Sequence, residues 1–205
     1  MLDEARMAQI AQRVVEQVLA LRPGESLLIV RDSEDSGPLA NAVSQAATRV
    51  GAEPISITMP PRSVGGEELP EPVAGAFLRS NAILGLTRWP YVHTRASSAA
   101  LGAGARMANL RGYREGLLDS PGVVTDYEVV RRNALAVDAL LEKAQEVHVT
   151  CPRGTDLWMQ LCGRKGRAQT GFATQPGQFT GLPDGESTVA PLEGTTQGRI
   201  VNPYM

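Results

Sequence analysis

The sequence predicts an α/β fold: an N-terminal lobe on a doubly wound parallel sheet, plus a smaller, mostly antiparallel β-rich lobe. Three observations predict it. Short apolar runs alternate with helix-period segments through the first half of the chain, the pattern of a parallel sheet with right-handed crossovers. From Glu146 onward short strand-like runs follow one another directly, separated by Gly- and Pro-bearing turns, the pattern of an antiparallel sheet. The 205 residues are 42% apolar and only 4% aromatic, so the chain can bury a core that rests on aliphatic packing.

The elements follow in order. Residues 3–21 place Ile10, Val14, Val18 and Leu21 on one helical face, and Pro23-Gly24 stops that helix. Ser26-Leu-Leu-Ile-Val30 is a strand of the buried parallel kind, followed by a polar loop from Asp32 to Gly37. Pro38 opens a helix with Leu39, Ala42, Val43, Ala46 and Val50 inward, closed by Gly51. Ile55 to Met59 is a second strand, ended by Pro60-Pro61. A helix from Pro72 carries Val73, Phe77 and Leu78. Ala82 to Thr87 is a third strand, Thr94 to Leu101 a small-residue helix, and Ala105 to Leu110 a fourth strand. After a loop over 113–125, Asp126 to Ala144 is the longest helix, with Tyr127, Val130, Ala134, Val137, Leu141 and Ala144 as its apolar stripe. Five strands follow: Glu146 to Cys151, Asp156 to Cys162, Ala168 to Phe172, Ser187 to Leu192 and Gly198 to Val201. The lobe boundary falls near residue 115, giving lobes at 1–115 and 116–205.

Composition narrows the function. A formal charge of −2 and a pI near 5.8 imply no basic patch, so neither nucleic acid nor an anionic membrane surface is an expected partner. The charged N-terminus lacks the apolar stretch of a signal peptide, and no run of about 18 apolar residues is present to span a bilayer. A cytoplasmic protein is expected. Cys151 and Cys162 are placed on the order of 20 Å apart along a hairpin, beyond the roughly 7 Å that a disulfide spans. They are expected to be two reduced, packed thiols.

Thr87-Arg-Trp-Pro-Tyr-Val-His-Thr-Arg95 follows the third strand, at the carboxyl edge of a parallel sheet, where ligands usually sit. Arg88, His93 and Arg95 are the candidate ligand-binding residues there, since arginine forks onto carboxylates. The plainer alternative is a capping loop in which Thr94 starts a helix. Gly102-Ala-Gly104 precedes a strand instead of following one, so it does not cradle a pyrophosphate. His148 is expected on the polar side of its strand with Glu146 and Thr150, in contact across a hairpin. Near the end, Leu182-Pro-Asp-Gly-Glu186 delivers a carboxylate to the start of a strand. Glu193 lies seven residues on, roughly 23 Å away on the opposite face. A two-metal site needs several convergent ligands, which this pair does not supply.

The Leu182 to Glu193 segment resembles one in the thermophilic metallo-aminopeptidases of the aminopeptidase T and S type. So do Arg22-Pro-Gly-Glu25 before the first strand, Gly104-Ala-Arg106 before the fourth, Asp126-Tyr127 opening the long helix, and Val149-Thr-Cys-Pro-Arg-Gly-Thr-Asp156 with Gly163-Arg164. The resemblance implies an N-terminal α/β lobe used for dimer contacts and a C-terminal lobe holding two metals. It makes Glu186 the counterpart of the first metal-binding glutamate. The later ligands have no counterpart before Met205, so the expectation is a truncated, non-catalytic relative: a pseudoenzyme with no cofactor and no catalytic residue, with Glu186 a remnant metal ligand. It is expected to bind a peptide or a partner protein as a homodimer, in the setting of a peptide-modifying pathway. The alternative is a metal-dependent aminopeptidase, using a divalent ion such as zinc or cobalt, completed by a partner chain or a rebuilt site.

Overall fold

The computed structural model describes residues 4–32, 36–110, 117–118 and 120–202. By internal contacts the chain divides into two units, Met1–Tyr127 with Gly171–Asp184, and Glu128–Thr170 with Gly185–Met205. The boundary expected near residue 115 lies outside the described residues.

The first unit holds a five-stranded, all-parallel sheet. Its strands are β1 (Ser26–Arg31), β2 (Glu53–Thr58), β3 (Ala82–Leu86), β4 (Arg106–Leu110) and, after a long excursion of the chain, β8 (Phe179–Leu182). Their order is β2-β1-β3-β4-β8. Each of the four expected strands is present, with ends shifted by one or two residues. β2 is an edge strand and largely exposed, which is why Pro54 is tolerated: it has no amide to offer a second neighbour.

Helices cover both faces, as a doubly wound sheet requires. One face presents Leu28, Val30, Ile83, Met107 and Phe179 to Val73 and Phe77 of α3 (Glu71–Phe77) and to Ala96 and Ala100 of α4 (Arg95–Gly102). Strand alternation turns Leu27, Ile29 and Leu84 to the other face. There α1 (Glu4–Arg13) and α2 (Gly37–Arg49) pack on each other, and α2 packs on β1 and β2. The first helix continues as a π-helical turn over Val14–Val18. That turn buries Val15 and Leu19 beside the expected Ile10, Val14 and Val18.

Thr94 caps α4: its hydroxyl oxygen accepts the Ser97 N–H at 3.1 Å and its own hydrogen goes to the Tyr91 carbonyl at 2.7 Å. Thr94→Ala removes both bonds and is expected to cost about 1 kcal/mol, read as a lowered midpoint in urea with an unchanged slope.

The second unit contains α5 (Tyr127–Lys143), whose first residue belongs to the other unit, and two small sheets. β5 (Glu146–Thr150), β6 (Asp156–Gln160) and β10 (Gln197–Arg199) form one, in the order β10-β6-β5. β7 (Arg167–Gln169) and β9 (Glu186–Thr188) form the other. All three pairings are antiparallel, as expected. β9 is shorter than the expected Ser187–Leu192. Pro191 has no amide hydrogen to continue a ladder, and the chain leaves the sheet after Thr188. Along α5 the expected stripe is buried at Ala134 and half-buried at Val130 and Leu141, whereas Val137 is 48% exposed.

Candidate functional site

The loop after β3 is built from the inside outward. Asp32, at the end of β1, is buried, and both its carboxylate oxygens accept the backbone N–H of Arg88, at 3.1 and 2.9 Å. Burial pushes the Asp32 carboxyl above its usual range, and the Arg88 amide opposes that shift. The bond joins the ends of β1 and β3, where the strand order turns and where ligands bind in open α/β sheets. Thr87 holds the next bend by donating its hydroxyl to the Trp89 carbonyl at 2.9 Å.

Arg88, His93 and Arg95 therefore lie on one loop at the carboxyl edge, all three exposed. Arg95 is engaged locally: its amide and its Nε both donate to Glu68 Oε1, at 2.8 and 3.4 Å. The Arg95 amide is the main reason the Glu68 carboxyl titrates below its ordinary range. Asp32 was not among the expected site residues. Its signal was present, a carboxylate two residues after the buried run Leu27–Val30, but read only as the start of a polar loop.

The second candidate lies wholly in the second unit. Glu186 opens β9 opposite Gln169 of β7, and the Gln169 amide donates to its carboxylate. Ser187 donates its hydroxyl to the Ala134 carbonyl of α5 at 2.5 Å. Gly185 lets the strand approach the helix: a Cβ there would meet Val130 Cγ1 at 2.3 Å. Between helix and strand lies an open cleft of about 330 Å³, lined by Val130, Asn133, Ala134, Val137, Glu186 and Ser187. One wall is apolar, and the other ends in a half-buried carboxylate. The Glu186–Gln169 pairing joins residues on two strands distant in sequence and gave no local signal.

Glu193 stands apart from this cleft, exposed and ion-paired with Arg164. His148 makes the expected cross-hairpin contact. Its ring stacks on Trp158 at 3.7 Å and 11°, and its Nε2 lies 2.7 Å from Asp156 Oδ1. Both cysteines are free thiols, but they are exposed and not packed as expected. Cys151 sits at a hairpin tip, where the Thr155 hydroxyl and neighbouring amides hold its thiol below the ordinary range.

A family model described as NicX, 2,5-dihydroxypyridine 5,6-dioxygenase, matches residues 6–203, nearly the whole chain. The chain belongs to the NicX family. The solved 2,5-dihydroxypyridine dioxygenase from Pseudomonas putida KT2440 superposes with a TM-score of 0.77 at 18% identity, over 97% of this chain and 59% of that one. AmpT from Thermus thermophilus superposes with a TM-score of 0.66 at 17% identity, over 95% of this chain and 64% of that one. The chain thus spans under two thirds of either structure. Comparison with curated proteins gives no match. The resemblance to thermophilic aminopeptidases therefore holds for the fold, while the family is NicX.

Toward a divalent ion the donor set is thin. Among the described residues no three His, Cys, Asp or Glu side chains converge, and the polar side chains beside Glu186 are the Gln169 and Asn133 amides and the Ser187 hydroxyl. The described residues do not fit a metal site by themselves. No described helix is long and apolar enough to cross a membrane.

Proposed function

We propose that this NicX-family chain binds a small hydroxylated N-heteroaromatic ring, of the 2,5-dihydroxypyridine class, in the cleft between α5 and β9. The observation that carries the reading is the make-up of that cleft. Val130, Ala134 and Val137 offer an apolar wall to a ring face, and Glu186 offers a carboxylate to a ring hydroxyl. The cleft is also of ligand-site size, which begins at about 300 Å³. In this reading the chain's own residues bind and orient the ring. Chemistry on it requires groups that the described residues do not supply.

Calorimetric titration with 2,5-dihydroxypyridine tests this. Binding is expected in the wild type, and Glu186→Gln is expected to weaken it about tenfold or more, the loss of one charged hydrogen bond. Val137→Arg, which fills the cleft from an exposed helix position, is expected to abolish it. Absence of binding to the wild type, or binding indifferent to both changes, refutes the reading.

A peptide ligand is the second reading, and the exposed Arg88 and His93 at the carboxyl edge of the parallel sheet favour it. Titration with short peptides separates the two. Peptide affinity that falls with Arg88→Ala and ignores Val137→Arg supports the peptide reading over the ring.

A further inference from the structure

Among the described residues, two polar side chains lie fully inside the first unit without a hydrogen-bond partner. Asn109, on β4, is 0% exposed, and neither its side-chain oxygen nor its nitrogen has a hydrogen-bond partner. Tyr91, in the loop after β3, is 1% exposed, and its hydroxyl has none either. Buried polar groups in native proteins are nearly always satisfied, so two such groups close together call for a common explanation.

The sheet register shows that they are close. Val30, Gly85, Asn109 and Gly181 are successive partners across β1, β3, β4 and β8. Side chains in one such row share a face. Val30 belongs to the core beneath α3 and α4, as does Tyr91. A Cβ at Gly85 would meet Tyr91 Oη at 2.1 Å, so the hydroxyl lies over Gly85, one strand from Asn109. Strands are spaced about 4.8 Å apart, close to the span that a single water covers with two hydrogen bonds of about 2.8 Å. Glycine on either side of Asn109 keeps side chains out of that part of the row. Burial also pushes the Tyr91 phenol up, so it stays neutral. A neutral phenol and a neutral carboxamide offer both donors and acceptors, and no charge.

We propose that Tyr91 and Asn109 together bind one internal water at the carboxyl ends of β3, β4 and β8. Internal waters make about three hydrogen bonds to otherwise unsatisfied groups, and the Tyr91 hydroxyl with the two ends of the Asn109 carboxamide supply that number. The water pins the loop after β3 to the sheet. Tyr91 is already the loop's anchor: its carbonyl accepts from the Thr94 amide at 3.0 Å, the Thr94 hydroxyl at 2.7 Å and the Ser97 hydroxyl at 2.8 Å. Its ring meets Phe77 edge-on, with centroids 5.2 Å apart. The water adds a fixed point at the far end of the same side chain, and so holds the segment carrying Arg88, His93 and Arg95.

A high-resolution crystal structure and a mutant cycle test this. An ordered water within hydrogen-bond reach of both Tyr91 Oη and the Asn109 carboxamide is expected. A direct Tyr91–Asn109 hydrogen bond without water overturns the proposal. In thermal unfolding, Tyr91→Phe is expected to lower the midpoint by about 2–4 °C, the shift that losing one buried hydrogen bond gives in a chain of this size. In an Asn109→Leu background, where the water has lost its other holder, Tyr91→Phe is expected to cost nothing. Equal losses in both backgrounds mean that the two side chains share no partner, which also overturns the proposal.

Discussion

Glu25→Ala is expected to cost the fold about 3 kcal/mol, because it leaves a buried guanidinium without its counter-charge. The Arg106 side chain is 5% exposed, and its two terminal nitrogens donate to the two Glu25 oxygens, at 3.0 and 2.5 Å. Glu25 also accepts the Arg22 amide at 2.9 Å. The pair ties the turn before β1 to the start of β4, 81 residues away in sequence. Partial burial raises the Glu25 carboxyl, but the Arg106 and Arg22 bonds outweigh it and leave the group below its ordinary value of 4.5. The sign follows: the folded state holds the proton less readily than the unfolded chain. The pair's contribution is therefore complete above pH 4.5 and fades as pH falls through the folded value. Urea unfolding of wild type and Glu25→Ala at neutral pH should differ by the full amount, and the gap should narrow in acid. A gap that is small at neutral pH, or that does not change in acid, would show that water and neighbouring groups already satisfy Arg106.

Both halves of this pair were visible as sequence fragments, Arg22-Pro-Gly-Glu25 and Gly104-Ala-Arg106. Their meeting was not, because side-chain pairing across 81 residues leaves no periodic trace. Parallel strands β1, β3 and β4 were legible for the opposite reason. Buried on both faces, they read as continuous apolar runs between helix-period segments. β8 escaped for want of such a run. Phe179–Leu182 has four residues, one of them glycine, between Pro176-Gly177 and Pro183, so its flanks read as turns. It is nonetheless buried throughout, because β4 had a free edge to fill. The site followed the same division. Glu186 was found because a Pro-Asp-Gly turn announces the strand that carries it. The apolar wall opposite came from α5, where Val137 read as core and lines the open cleft instead. Periodicity gives the apolar face of a helix, and only the partner's shape decides whether that face is filled.

Gly85→Ala is expected to destabilise the first unit by about 3 kcal/mol, the upper end of the usual cost of overpacking a core. Gly85 carries an ordinary strand conformation, so the cost is one of space and not of backbone strain. The added methyl would lie 2.1 Å from Tyr91 Oη, 2.6 Å from Cζ and 2.7 Å from Cε1. No heavy atoms pack at those distances, so the ring must move. It is wedged against Phe77, itself 0% exposed, and its loop is held by Thr94 and Ser97. Small rotations do not relieve the clash, since two ring carbons and the hydroxyl oxygen are involved. Tyr91→Leu removes the far half of the ring and should itself cost several kcal/mol through the cavity it leaves. In that background the Gly85 methyl occupies vacated space, so the two changes should be strongly sub-additive. Denaturant midpoints of the two single variants and the double variant give the coupling directly. Simple additivity would mean that the ring and the β3 backbone do not compete for the same volume. The loop bearing Arg88, His93 and Arg95 would then owe its position to its local hydrogen bonds alone.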